Sequence, residues 1–500
     1  MFSDSRHRGP LILLAIAAAA LATRIPLLAY PRLYGDEIFY ALVGHEWLKG
    51  ALPYVQIWDV KPPGLFTLYA LSEAISGDPL LGPRLLPLLA TLAAAIGLWR
   101  IGEDWFADWR IGLIAAILYC ANTLSLGGAM GASELLFAPF VIFGFLYATR
   151  AGLGFAALAG LSLGCAFTIK QVAAFEGLLG LVLVIRCSRA VRTERIRRAA
   201  AYCAAGALPG GAFAVIYAAH GKFGLLWESA IVSAFGRTGG DGITLLEGFL
   251  LFFAGFKAIM PLLLAGLVLF LERRRLARGP DRDGLARTVW WLAASSAGVL
   301  AIRSMYAHYF LSLVAPLSLV AAKLLLDVGF RATRRASGVA AVAGLALLCA
   351  YPLAWTSFQS EWPTENRNTE TLAERLVALG VRPDAAGAEL FIADHEVATY
   401  LLTDISPPTR YVIAQHLTCD FALPRGVRAD EVIDKVMNAR PRFVVVTEPR
   451  KFLSCALPER LERVAAHLRR DYVLVDRIAD AQEPLLIYER KGRRAGLALD

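Results

Sequence analysis

The strongest constraint on this chain is a succession of apolar runs that fills it up to about residue 355. A helix needs about 20 apolar residues to cross a bilayer. Runs of roughly that kind fall near 10–30, 80–99, 111–128, 133–149, 153–169, 172–186, 199–219, 246–271, 288–303, 306–326 and 336–355. The chain is 57% hydrophobic and 19% charged, against about 45–50% and about 25% in ordinary soluble proteins. The expected fold is therefore mostly α: a polytopic transmembrane helical bundle of about eleven spans. The apolar stretch from Gly152 to Ile185 is too long for one helix, and Lys170-Gln171 interrupts it. Two spans meeting at Lys170 explain both facts. The opening MFSDSRHRGP resembles a signal peptide, but Ala22-Thr23-Arg24 is a poor cleavage site, so a retained first helix is expected.

Sidedness follows from arginine. The segment Arg186 to Arg198 holds six arginines, Glu272 to Arg287 another six, and Phe330 to Arg335 three. With the N-terminus inside, all three loops face the cytoplasm, as the positive-inside rule requires. The net charge of +9 is thus accounted for by topology and does not call for a nucleic-acid partner. The same count places Asp36, Glu37, Asp59, Lys61, Glu134, Lys170, Arg303 and His308 at or near outer span ends. Ionisable groups at membrane depth are costly and mark pathways or sites.

The first outer loop, YGDEIFYALVGHEWLKGALPYVQIWDVKPPG, carries much of this charge. From Asp36 to Trp47 it reads as a short helix with Phe39, Val43 and Trp47 on one face. Tyr40 and Trp47 suit an interfacial position, so the helix is expected along the outer membrane surface. Each charged residue also has a purely structural reading. Asp36 is an N-cap and Glu37 a first-turn dipole partner. Lys61, before Pro62-Pro63-Gly64, is a snorkelling lysine ahead of a proline-started helix. Glu134, in GGAMGASELLFAPF, is a helix-start acid capped through Ser133. Lys170, in FTIKQVAAF, snorkels from a helix end, and His308 and Tyr309 are structural. The functional reading takes them together: acids beside cations at one interface suit chemistry on a lipid phosphate. An acid accepts a proton from a hydroxyl. Lysine or a divalent metal ion stabilises a phosphate leaving group.

After Tyr351 short apolar runs (ELFIAD, RYVI, RFVVVTE, YVLVD, PLLIYER) alternate with polar helical ones. This pattern predicts a small extracytoplasmic α/β domain over 356–500, with the membrane domain over 1–355. Its two cysteines, Cys419 and Cys455, lie in a compartment that permits a disulfide. The other five (Cys120, Cys165, Cys187, Cys203, Cys349) read as packing residues of the spans.

The order of motifs resembles the GT-C superfamily of membrane glycosyltransferases, nearest to the bacterial aminoarabinose (lipid A) transferases and the protein O-mannosyltransferases. Asp36-Glu37 opens the first outer loop, Lys61-Pro62 follows in WDVKPPG, Glu134 starts the fourth span, Lys170 ends the fifth, and YAHYFLSLVAPLSLVAAK marks a late span. The resemblance covers roughly residues 10–330. It implies an inverting sugar transfer from a polyprenyl-phosphate donor to an envelope acceptor, outside a bacterial inner membrane. It makes Asp36 the catalytic or metal-linked acid, with Glu37 and Glu134 as its companions. It makes Lys61 the donor-phosphate ligand, beside Tyr40, Lys170, Arg303, His308 and Tyr309 as substrate-binding candidates. Asp36 and Glu134 are the candidate ligands of a divalent metal ion. Two other classes compete: a flippase or transporter of a lipid-linked sugar, and a non-catalytic subunit of an envelope pathway. A transporter favours repeats and broken helices at the midplane, whereas these charges gather at one interface and no repeat is evident.

Overall fold

The computed structural model describes residues 5–28, 35–186, 191–234, 245–276, 281–302, 306–327, 335–358, 362–383, 388–395, 397–421, 423–447, 456–479 and 484–492. Helices α1 (Ser5–Leu28), α2 (Asp36–Leu48), α3 (Pro63–Ser76), α4 (Leu81–Phe106), α5 (Trp109–Asn122), α6 (Ser133–Ala148), α7 (Leu153–Ile169), α8 (Ala174–Arg186) and α9 (Arg192–Ala219) come first. Further helices follow at Leu245–Ala258, Met260–Leu276, Asp281–Leu300, Leu311–Leu325 and Arg335–Phe358. Within the described residues, every apolar run read from the sequence lies mainly on helix. Among the described residues five helices are long and apolar enough to cross a membrane, six if one bent pair is a single span. The chain is thus a multi-pass membrane protein. The run at 246–271 is that pair: its two helices meet at 69° instead of forming one straight rod.

Local chemistry sets several of the helix ends. Pro63 occupies the first turn of α3, where its missing N–H costs nothing. Asp108 caps α5 by accepting the Arg110 N–H at 3.0 Å. Lys170 is extended (φ −151°, ψ 133°), which ends α7 before α8 begins. Arg24, buried near the end of α1, donates to the Cys120 and Gly128 carbonyls at 2.6 and 3.1 Å. Those bonds satisfy carbonyls around the C-terminus of α5 and tie α1 to the turn that leads into α6.

Helix α2 is covered by protein on more than the one apolar face that its periodicity suggests. Glu37 to Gly44 are all buried, on every side of the helix. Helix α3 covers one flank, and the C-terminal region covers another through Asp404 and Ser406. An amphipathic stripe was expected from Phe39, Val43 and Trp47, but the remaining faces bury Ile38, Tyr40 and Leu42 as well.

The C-terminal region holds a four-stranded sheet in the order β1-β2-β4-β3. Strands β1 (Leu390–Ile392) and β2 (Phe443–Thr447) are parallel; β4 (Leu485–Arg490) runs antiparallel to β2 and to β3 (Tyr472–Ile478). Ile433, Val436 and Met437 of one helix and Val464 and Leu468 of another share a buried core with Phe391 and Val444. Their spacing of three and four places them on single helix faces. The run RYVI, expected as a strand, is not one. Its Arg410 carbonyl accepts the Trp58 N–H at 2.8 Å, so it docks on the loop between α2 and α3. Cys419 is disulfide-bonded; Cys455 lies outside the described residues.

His45 joins these parts. Its ring nitrogens lie 2.7 Å from Glu73 on α3 and 2.8 Å from Asp404 in the C-terminal region. Lys49 bonds Asp404 at 3.0 Å and Glu46 at 3.2 Å. The bonds to Glu73 and Asp404 raise the His45 pKa above its ordinary value, against burial and Lys49. A raised folded-state value stabilises below the unfolded pKa of about 6.5 and is lost as pH climbs through the folded value. Wild-type protein should therefore lose melting temperature between about pH 6 and pH 9 more steeply than His45→Gln. Parallel melting curves for the two proteins across that range would remove this role.

Candidate active site

The site begins at a turn. Gly35 has φ 56° and ψ −133°, a conformation that a side chain would strain. The turn swings Asp36 to the first position of α2. Asp36 is therefore not the N-cap, and its carboxylate is free for other contacts. It is solvent-exposed. The Tyr40 hydroxyl, one helical turn on, donates to Asp36 Oδ2 at 2.8 Å. Burial alone would raise the Asp36 pKa; Lys61, His308, the Tyr40 bond and Lys170 together hold it at about 2. Tyr40 is itself pushed well above the usual phenol range by burial and by Asp36. It stays a donor.

Two lysines flank this carboxylate. Lys61 Nζ lies 3.5 Å from Asp59 Oδ2 and 5.0 Å from the centre of the Tyr40 ring. Its backbone is held by the Tyr54 hydroxyl, which donates to the Lys61 carbonyl at 2.5 Å. Lys170 is buried, forms an ion pair with Glu134, and sits 4.0 Å from the centre of the Tyr309 ring. Glu134 also accepts from the Ser133 hydroxyl at 2.9 Å. Ser133 thus bonds the acid rather than capping α6, whose N-cap is Ala132. His308 lies in the 3-10 turn Ala307–Phe310 that leads into the helix Leu311–Leu325, and packs against Tyr306 and Tyr309, with ring centroids 5.8 and 4.6 Å away.

The structure therefore brings together Asp36, Tyr40, Lys61, Glu134, Lys170, His308 and Tyr309. Glu37 points elsewhere. Its carboxylate takes Arg84 at 2.9 Å and the Gly131 N–H at 3.1 Å, while the Tyr69 hydroxyl donates to the Gly131 carbonyl at 2.7 Å. A Cβ on Gly131 would stand 2.1 Å from that hydroxyl. This buried knot joins α2, α3, α4 and the turn into α6, and so sets where Asp36 stands relative to Glu134. Arg303 lies outside the described residues.

Sequence reasoning missed Arg84, Tyr69 and Gly131. Arg84 alone carried a signal, as a cation inside the apolar run LLGPRLLPLL. Among the described residues no three His, Cys, Asp or Glu side chains gather as a metal-binding group. Glu134 is already engaged by Lys170 and Ser133, and Asp36 faces cations. This donor set suits an anion held by lysines better than a divalent metal ion.

No protein-family model matches the chain, and no curated protein matches it. Solved structures do. ArnT from Cupriavidus metallidurans bound to undecaprenyl phosphate superposes with a TM-score of 0.62 at 14% identity, over 97% of this chain and 98% of that one. Its apo state gives 0.61 at the same identity and coverage. The archaeal oligosaccharyltransferase AglB from Archaeoglobus fulgidus, in complex with an inhibitory peptide and a dolichol-phosphate, gives 0.52 at 11% identity, over 89% of this chain and 70% of that one. The match to ArnT runs through the C-terminal region, beyond the residues 10–330 over which the motifs carried the resemblance.

Proposed function

We propose that this chain, which has the GT-C fold, transfers a sugar from a polyprenyl-phosphate donor to an envelope acceptor on the outer face of a bacterial inner membrane. The observation that carries the reading is the exposed, ionised Asp36, whose carboxylate feels the charges of Lys61 and Lys170. A donor phosphate placed between the lysines puts the anomeric carbon beside that carboxylate. The acceptor hydroxyl gives its proton to Asp36 as its oxygen attacks that carbon. The carbon–oxygen bond to phosphate breaks with its electron pair staying on the phosphate, and the lipid phosphate leaves. One displacement on one carbon inverts its configuration. Lysines 61 and 170 stabilise the charge that grows on the leaving group. The Tyr40 bond orients the carboxylate.

Two findings about related folds support the choice of donor. ArnT binds undecaprenyl phosphate and AglB a dolichol-phosphate. The eleven-span count, the outer orientation and the boundary between 355 and 356 belong to the same proposal. They put the C-terminal region and the catalytic site on one side, where the region helps to select the acceptor. Mass spectrometry of envelope glycolipids and glycans from cells with the wild-type gene, without it, and with Asp36→Asn tests the reading. One sugar-bearing species should be present with wild type alone. Identical spectra in all three strains would overturn it.

A further inference from the structure

The two lysines belong to different parts of the chain, and a phosphate clamp needs them in fixed register. Lys61 is followed by Pro62 and Pro63, which have no N–H to pin the strand by backbone pairing. Lys170 is extended, so consecutive side chains diverge there. One side chain, Lys170, turns to Glu134. The next, Gln171, turns to the loop that carries Lys61.

The half-buried Gln171 amide nitrogen donates to two backbone carbonyls, Val60 and Ala230, both at 2.7 Å. A primary amide has two N–H groups, and both are used on oxygen acceptors. The Val60 carbonyl belongs to the peptide plane that leads into Lys61. Ala230 lies in the π-helix Glu228–Ser233, a form found frequently at functional sites. A second contact fixes the same register. Gly64, three residues after Lys61, approaches Thr168 so closely that a Cβ would stand 2.5 Å from the Thr168 carbonyl oxygen.

We propose that Gln171 is a positioning residue: its amide fixes the peptide before Lys61, and hence the Lys61 ammonium, in register with Lys170 for the donor phosphate. The inference rests on the reading of Lys61 as a phosphate ligand. Undecaprenyl phosphate is the probe, with the full-length protein held in nanodiscs. Gln171→Met keeps the side-chain length and removes both donors. It should weaken binding roughly 10- to 30-fold, as the loss of two net hydrogen bonds implies. Lys61→Ala should weaken binding too, and the double variant should bind no worse than Lys61→Ala alone. Gln171→Asn, one methylene shorter, should fall between wild type and Gln171→Met; it keeps the test open if Gln171→Met does not fold. Wild-type binding by Gln171→Met beside weakened Lys61→Ala overturns the positioning role and leaves the phosphate ligand standing. Fully additive losses do the same. Wild-type binding by Lys61→Ala overturns the ligand, and the role of Gln171 with it.

Discussion

Asp36→Asn is expected to slow transfer by roughly 10²–10⁴-fold, the usual loss for a general base. The fold should survive. Asparagine keeps the shape and can still accept the Tyr40 hydroxyl, whereas the buried knot at Glu37, Arg84 and Gly131 is untouched. Wild-type pH profiles give a second readout. In the free enzyme Lys61, His308 and Lys170 help hold Asp36 at about 2, where it is a weak base. A bound phosphate shares the two lysines, and the Asp36 pKa must rise. The profile of kcat/KM reports the free enzyme and that of kcat the complex. The acid limb of kcat should therefore lie at higher pH than that of kcat/KM. Near-normal turnover by purified Asp36→Asn, or coincident limbs in wild type, would count against the assignment.

The second large effect concerns Lys170 and Glu134. Removing one partner of a buried ion pair costs about 3–5 kcal/mol, because the other charge is left without compensation. Glu134→Ala should destabilise by that order, with Lys170 stranded beside Tyr309. Replacing both partners by apolar residues of similar size is often neutral or stabilising. The double variant Glu134→Leu/Lys170→Met should therefore recover most of the stability. It should nonetheless bind undecaprenyl phosphate weakly, because a donor of the clamp is gone. Thermal unfolding and lipid-phosphate binding on the same samples separate the two properties. Wild-type affinity in the stable double variant would reduce the pair to a structural element.

Much of this arrangement was legible in the sequence, and for identifiable reasons. Spans show themselves because a bilayer demands length and apolarity at once, so within the described residues every apolar run fell mainly on helix. Lys170 showed itself as a cation that broke a run too long for one span. Asp36, Lys61 and Glu134 showed themselves because charge is scarce in such a chain. What escaped notice depends on contacts between distant segments. The meeting of Glu37 with Gly131 spans 94 residues, and no local pattern encodes it. The bend in the 246–271 run did carry a signal, because Lys257 and Pro261 flank its break, but the apolarity around them read as one continuous span. The burial of α2 was misjudged for a related reason. Its periodicity records one apolar face, but the C-terminal region that covers another lies far along the chain. The same remoteness hid the role of RYVI, whose β-branched composition suits a strand while its position makes it a seat for Trp58.

That seat has a practical consequence. Trp58 and Val60 sit in one core with Phe391, Tyr411, Ile433 and Val444, and Trp58 is three residues from Lys61. The tail is therefore no exchangeable cap. A chimera spliced after Trp355 would import a foreign surface beneath Trp58 and Val60, and Lys61, the proposed phosphate ligand, would shift with it. Any attempt to redirect this protein to a new acceptor must carry the loop between α2 and α3 and the tail across together, as one cassette.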